Sequence, residues 1–311
     1  MIALLLATST GFLAGCGKSP NGQLPQVELA SEGKRPEEVA KPRLAKAEYE
    51  SQRAIEDEIL ALNGFFAEAK KRTHGFAADA LGWGSKFRLI QDALPFTRND
   101  RHKEFLKGKF EESVFKPEQL EEAVKQVVKG YLTRVRSIEG RMLVELRIDA
   151  GDLPASSLLE QDDRQLQASY DSALAKAIEE SGAKVQDDVA AGIASTVAGE
   201  VLTQVALRLG VRAGILGAGA ASGALTLGVG LVVSVILDQI VSFVWDWFAD
   251  PKGNLANEIN RQLDEMNRLL VDGSTDVKGL RERLRESARE RAGIRKTIVL
   301  RLLQPVEGGR K

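Results

Sequence analysis

Residues Ala213 to Leu237 run for 25 positions without a charged side chain. A stretch of that length either crosses a bilayer or is buried among other elements, because leaving it in water is unfavourable over its whole area. Six glycines interrupt it, at Gly214, Gly217, Gly219, Gly223, Gly228 and Gly230. Glycine weakens a helix in water and is tolerated where helices sit in lipid. Gly210–Gly214 and Gly219–Gly223 have the GxxxG spacing that lets two helix backbones approach closely.

The flanks of this block narrow the choice. Upstream, Thr196, Glu200, Gln204, Arg208 and Arg212 recur every four residues; downstream, Ser234, Asp238, Ser242 and Asp246 do the same. Each set draws one polar ridge along an otherwise apolar helix. A reversal near Ala221 to Gly223 places Arg208 opposite Asp238 and Gln204 opposite Ser242, so that charges entering an apolar setting find partners. Residues 185–248 therefore read as an antiparallel helical hairpin. Glu200, Arg208, Asp238 and Asp246 are its pairing residues, Gly217, Gly219 and Gly223 its tip, and Trp245, Trp247 and Phe248 its base. Such a hairpin serves as the buried core of a helical bundle, as an element that inserts into or lies against a bilayer, or as an oligomer seam.

The remainder predicts an all-α, multi-helix bundle around that hairpin. Aromatic residues make up only 5% of the chain and charged residues 28%, a balance that favours long helices over sheets. Residues 16–42 hold Pro20, Pro25, Pro36 and Pro42 with no apolar period, and read as a flexible tether. Residues 43–184 form an amphipathic helical region. A helix runs from Arg43 to Arg72 and breaks over Thr73 to Gly84, where Trp83 is a packing anchor. Lys116-Pro117-Glu118 starts another helix, with proline in the first turn and an acid after it. It carries Leu120, Val124, Val127, Val128, Tyr131, Leu132, Val135, Ile138 and Met142 at helical spacing. Ser156 or Ser157 caps a further helix with Leu158, Leu166, Tyr170, Leu174 and Ile178. Residues 249–311 contribute an amphipathic helix, Leu255 to Leu270, a turn at Asp272-Gly273-Ser274, and an Arg-rich helix from Val277 to Leu303.

The first residues give an address. Met1 to Ala14 carries no charge, and Leu13-Ala14-Gly15-Cys16 closes the run on the only cysteine of the chain. This resembles the lipobox of bacterial lipoprotein signal peptides. The resemblance implies that residues 1–15 are a signal peptide, that the Cys16 thiol receives a diacylglycerol, and that palmitate is among the acyl groups attached. It implies a cell-envelope protein held to a membrane by its N-terminal lipid. Gly17, where an Asp would favour the inner membrane, points to the outer membrane in an organism that has one. With no second cysteine, an intramolecular disulfide is excluded.

Catalytic chemistry finds little to build on. His74 and His102 have no Cys, His or carboxylate neighbour at metal spacing, and no GxSxG occurs. Gly217 to Gly223 is rich in glycine but is followed by no Lys-Ser or Lys-Thr, so it is not read as a phosphate loop. The net charge of −1 supplies no field for nucleic acid. Arg281, Arg283, Arg285, Arg289, Arg291, Arg295 and Lys296 alternate with Glu282, Glu286 and Glu290, the pattern of a solvated, salt-bridged helix face. The expectation is a non-catalytic, lipid-anchored envelope protein, without cofactor or metal, whose helical domain binds or scaffolds a protein partner or a second copy. The alternative is a pore-forming or bilayer-perturbing protein that uses the Gly-rich hairpin.

Overall fold

The computed structural model describes residues 34–82, 101–153, 158–159, 161–180, 194, 196–205 and 254–304. The chain divides into two units, Met1–Gly33 and Lys34–Lys311, of which the first lies wholly outside the described residues. The described residues of the second are all-α apart from one two-residue ladder.

Helix α1, Pro36–Leu81, has 46 residues and is about 69 Å long at 1.5 Å per residue. It begins ahead of the tether boundary read at Pro42. Pro36 occupies the first turn, where its missing N–H is no loss, and Glu38 accepts a hydrogen bond from the Arg35 backbone N–H at 3.2 Å. Val39 and Ala40 are already buried. The break expected over Thr73 to Gly84 is also corrected, since the helix continues to Leu81. Phe76, Ala77 and Ala80 prolong its buried stripe, and the Thr73 hydroxyl lies 2.9 Å from both the Lys70 carbonyl and Asn260 Oδ1.

After α1 come helices α2 (Arg101–Ser113), α3 (Pro117–Asp149), α4 (Asp163–Glu180), α5 (Leu255–Val271) and α6 (Leu280–Leu302), with residues 196–205 also helical. α3 starts at the predicted Lys116-Pro117 signal and buries every apolar position of its predicted stripe. α4 starts later than the serines suggested. Asp162 accepts hydrogen bonds from the backbone N–H groups of Arg164 and Gln165 at 2.9 and 2.8 Å, while Gln165 accepts one from the Asp162 N–H. Asp162 and Gln165 thus make a capping box, and Leu158 is buried in the turn before it.

α5 begins on Asn254, whose side chain accepts the Asn257 N–H. Its predicted stripe of Leu255, Ile259, Leu263, Met266 and Leu270 is buried. The turn into α6 is a small ladder in which Gly273 pairs with Lys278 and Ser274 with Val277. Gly273 has φ 77°, and a Cβ there would run into the Val277 carbonyl oxygen. Only glycine meets both conditions.

α1 is the common neighbour of α2, α3, α5 and α6. Along its seam with α3 the charges keep one antiparallel register. Arg43 bonds Glu145 and Asp149, each at 2.6 Å; Lys46 bonds Glu145; Glu50 meets Arg141 at 2.9 Å; Asp57 meets Arg134 at 3.0 Å. Between these lies an apolar core that includes Ile55, Ile59, Leu62, Val128, Tyr131 and Val135. No helix among the described residues is long and apolar enough to cross a membrane.

Candidate functional site

Inside this core, α3 and α6 bring ionisable side chains together away from water, with Ser51 of α1 beside them. Glu139 of α3 is fully buried, and Arg291 and Arg295 of α6 keep 15% and 2% of their side-chain exposure. Burying charges of this kind is unfavourable unless they are paired and hydrogen-bonded. Arg291 meets that demand. Its Nε donates to Glu139 Oε1 at 2.8 Å and its Nη2 to Oε2 at 2.7 Å, a two-pronged arrangement. Burial works against the Arg291 charge, but the hydrogen bonds to Glu139 and its attraction outweigh this, and the pKa is raised.

Arg295 is less well served. Its Nη1 lies 3.4 Å from Glu139 Oε1 and 3.5 Å from Ser51 Oγ. Ser51 in turn donates its hydroxyl to the Ala47 carbonyl at 2.6 Å. Arg295 Nε is buried with no partner among the described residues. Two guanidinium groups thus share one carboxylate, whose oxygens are already taken by the first.

Two tyrosines border the cluster. The hydroxyls of Tyr131 and Tyr170 are buried and make no hydrogen bond of ordinary geometry among the described residues. Burial pushes the Tyr131 phenol up to about 12, with Arg291 and Arg295 pulling weakly the other way. Burial raises Tyr170 further, and the nearby Glu139 charge adds to the shift. Both remain neutral phenols through the physiological range.

On its other side the cluster opens to a groove of about 590 Å³ between the first turns of α1 and the last turns of α6. Arg295 is part of its wall, with Ala40, Leu44, Ala45, Ala292 and Leu300. Glu37, Lys41, Glu48 and Lys296 stand at the exposed edge. The volume falls within the range of small-molecule sites, which combine apolar walls with a few placed polar groups.

Of the predicted site residues, only Glu200 is described. Cys16, Arg208, Asp238, Asp246, Gly217, Gly219 and Gly223 lie outside the described residues, as do Trp83, Trp245, Trp247 and Phe248. Glu200 is described, and its carboxylate lies 3.3 Å from Arg283 of α6. The ridge it belongs to is visible in part. Thr196 and Glu200 are exposed while Ala198, Val201, Leu202 and Val205 are buried.

The Arg-rich helix departs from the solvated face expected of it. Arg281 and Arg285 both hold Glu56 of α1, Arg281 also holds Asp272, and Arg291 and Arg295 turn into the core. A sequence signal for this exists. Glu139 falls on the stripe of Val135, Met142 and Leu143, and Arg291 and Arg295 fall on that of Leu284, Ala288, Ile298 and Val299. A charge at a stripe position, answered by the opposite charge at a stripe position elsewhere, marks a buried pair. No group of His, Cys, Asp and Glu that could hold a metal ion occurs among the described residues. No protein family, curated protein or solved structure matches this chain.

Proposed function

We propose that the protein is a lipid-anchored component of a bacterial cell envelope, attached through Cys16, whose helical domain is a non-catalytic binding or scaffolding module. The observation that carries this reading is the lone cysteine after Leu13-Ala14-Gly15, at the end of an uncharged run and followed by a proline-rich stretch. On the domain side, the groove beside Arg295 suits the holding of a ligand. The Glu139 carboxylate, with both oxygens on Arg291, suits a structural role better than proton transfer.

Metabolic labelling tests the anchor. Cells expressing the wild-type chain incorporate radiolabelled palmitate into it and retain it in the membrane fraction, whereas Cys16→Ser does neither. Equal label in the two overturns the proposal. The membrane-active alternative draws on the uncharged Ala213–Leu237 block and predicts dye release from liposomes by the purified chain. Intact liposomes at saturating protein remove it.

A further inference from the structure

Among the described residues the charge count of the buried cluster is unbalanced. Arg291 and Arg295 carry two positive charges and Glu139 one negative charge, and Glu139 is held in full by Arg291. A guanidinium at 2% exposure, with contacts of 3.4 and 3.5 Å and an Nε without a partner among the described residues, is a poor resting state for a buried cation. Such a group calls for a partner beyond those that Glu139 and Ser51 supply. The same residue forms part of the groove wall, and the groove wall is otherwise apolar on its inner side.

We infer that the groove between α1 and α6 binds an amphiphilic monoanion, a medium-chain carboxylate, with its head on Arg295 and its chain along Leu44, Ala45, Ala292 and Leu300. The planar guanidinium matches a carboxylate in two-pronged fashion. One excess buried charge calls for one negative charge, which favours a carboxylate over a phosphate dianion. Lys41 and Lys296 at the edge draw an anion in, while Glu37 and Glu48 limit the attraction to one that also gains from the apolar wall. The site is independent of whether Cys16 carries lipid.

Equilibrium binding of radiolabelled decanoate to the full chain in a non-ionic detergent, with protein-free detergent subtracted, tests this. The expected result is saturable binding of one decanoate per chain. Unlabelled decanoate displaces it, whereas decanol, which has the chain without the charge, and acetate, which has the charge without the chain, do not. Arg295→Gln weakens binding at least tenfold. Ala45→Trp fills the groove from an exposed position of α1, leaves Arg295 in place, and abolishes binding while the circular-dichroism melt stays close to wild type. Absence of saturable binding by the wild-type chain overturns the inference. So does decanol competing as well as decanoate, acetate competing as well as decanoate, or wild-type affinity in Ala45→Trp.

Discussion

Arginine–carboxylate pairs join α1 to α3 along their outer edge, and arginine–carboxylate pairs join α3 to α6 in the interior; the two sets use the same chemistry in different surroundings. On the edge, Arg141 with Glu50 and Arg134 with Asp57 remain largely in contact with water. Such pairs are worth a few tenths of a kcal/mol to about 1 kcal/mol, since water screens them and two long side chains must be held still. In the interior, Glu139 has no contact with water, and the attraction it exerts on Arg291 is opposed by the cost of drying both groups. The edge pairs can be lost singly with little consequence. The interior cluster is stable only when complete, so it specifies which faces of α3 and α6 meet.

The sharpest way to break this comparison is to remove the shared carboxylate. Glu139→Gln leaves two guanidinium groups buried without a counter-charge, and stability should fall by roughly 3–5 kcal/mol in urea unfolding. The triple change Glu139→Leu, Arg291→Met, Arg295→Met should recover most of that loss, as apolar packing replaces the whole cluster. A triple variant as unstable as the single one would show that the cluster contributes net stability.

Tyr131 sharpens the same contrast at high pH. Its folded pKa, about 12, lies above the ordinary value of 10.0 because the phenol is buried. The stability this contributes is fully present below about pH 10 and is lost as pH rises towards 12, because the unfolded chain ionises first. Tyr131→Phe should therefore flatten the alkaline limb of the stability curve by an amount on the order of 2 kcal/mol. At neutral pH it should change stability by less than about 1 kcal/mol, since the hydroxyl has no partner to lose among the described residues. Urea midpoints from neutral to strongly alkaline pH check both.

The edge titrates at the other end of the scale. Hydrogen bonding to Arg43 holds the Asp149 carboxyl below its ordinary value, and hydrogen bonding to Lys46 does the same for Glu145. Their contribution is present above the unfolded carboxylate range and is lost as pH falls below about 4. Asp149→Asn should make the acid limb shallower, with a change under about 1 kcal/mol. The smallest effect belongs to Arg141→Ala, a few tenths of a kcal/mol that should vanish in high salt. A loss comparable to Glu139→Gln would erase the distinction between edge and interior.

Much of this architecture is legible in the amino-acid order. The α3 and α5 stripes, the proline that opens α3 and the turn at Gly273 follow from periodicity and backbone chemistry, and each is where it was expected. Element ends are less so. α1 runs through Pro42 and past His74-Gly75 because packing on α3 and α5 outweighs weak local propensity. The capping box of α4 was present in Asp162 and Gln165, but the serines before it offered a competing start.

The sequence by itself determined that the chain is all-α, because apolar residues at 3.6-residue spacing can be buried together only on helices. It also places the single cysteine, Cys16, at the end of an uncharged run. Only the tertiary structure decided what the arginines of α6 are for. Whether a charge faces water or a carboxylate depends on which helix lies across from it, and three helices far apart in sequence supply Ser51, Glu139 and Arg295 to one place. The polarity of a residue is local, but the dielectric around it and the partner it meets belong to the assembled fold.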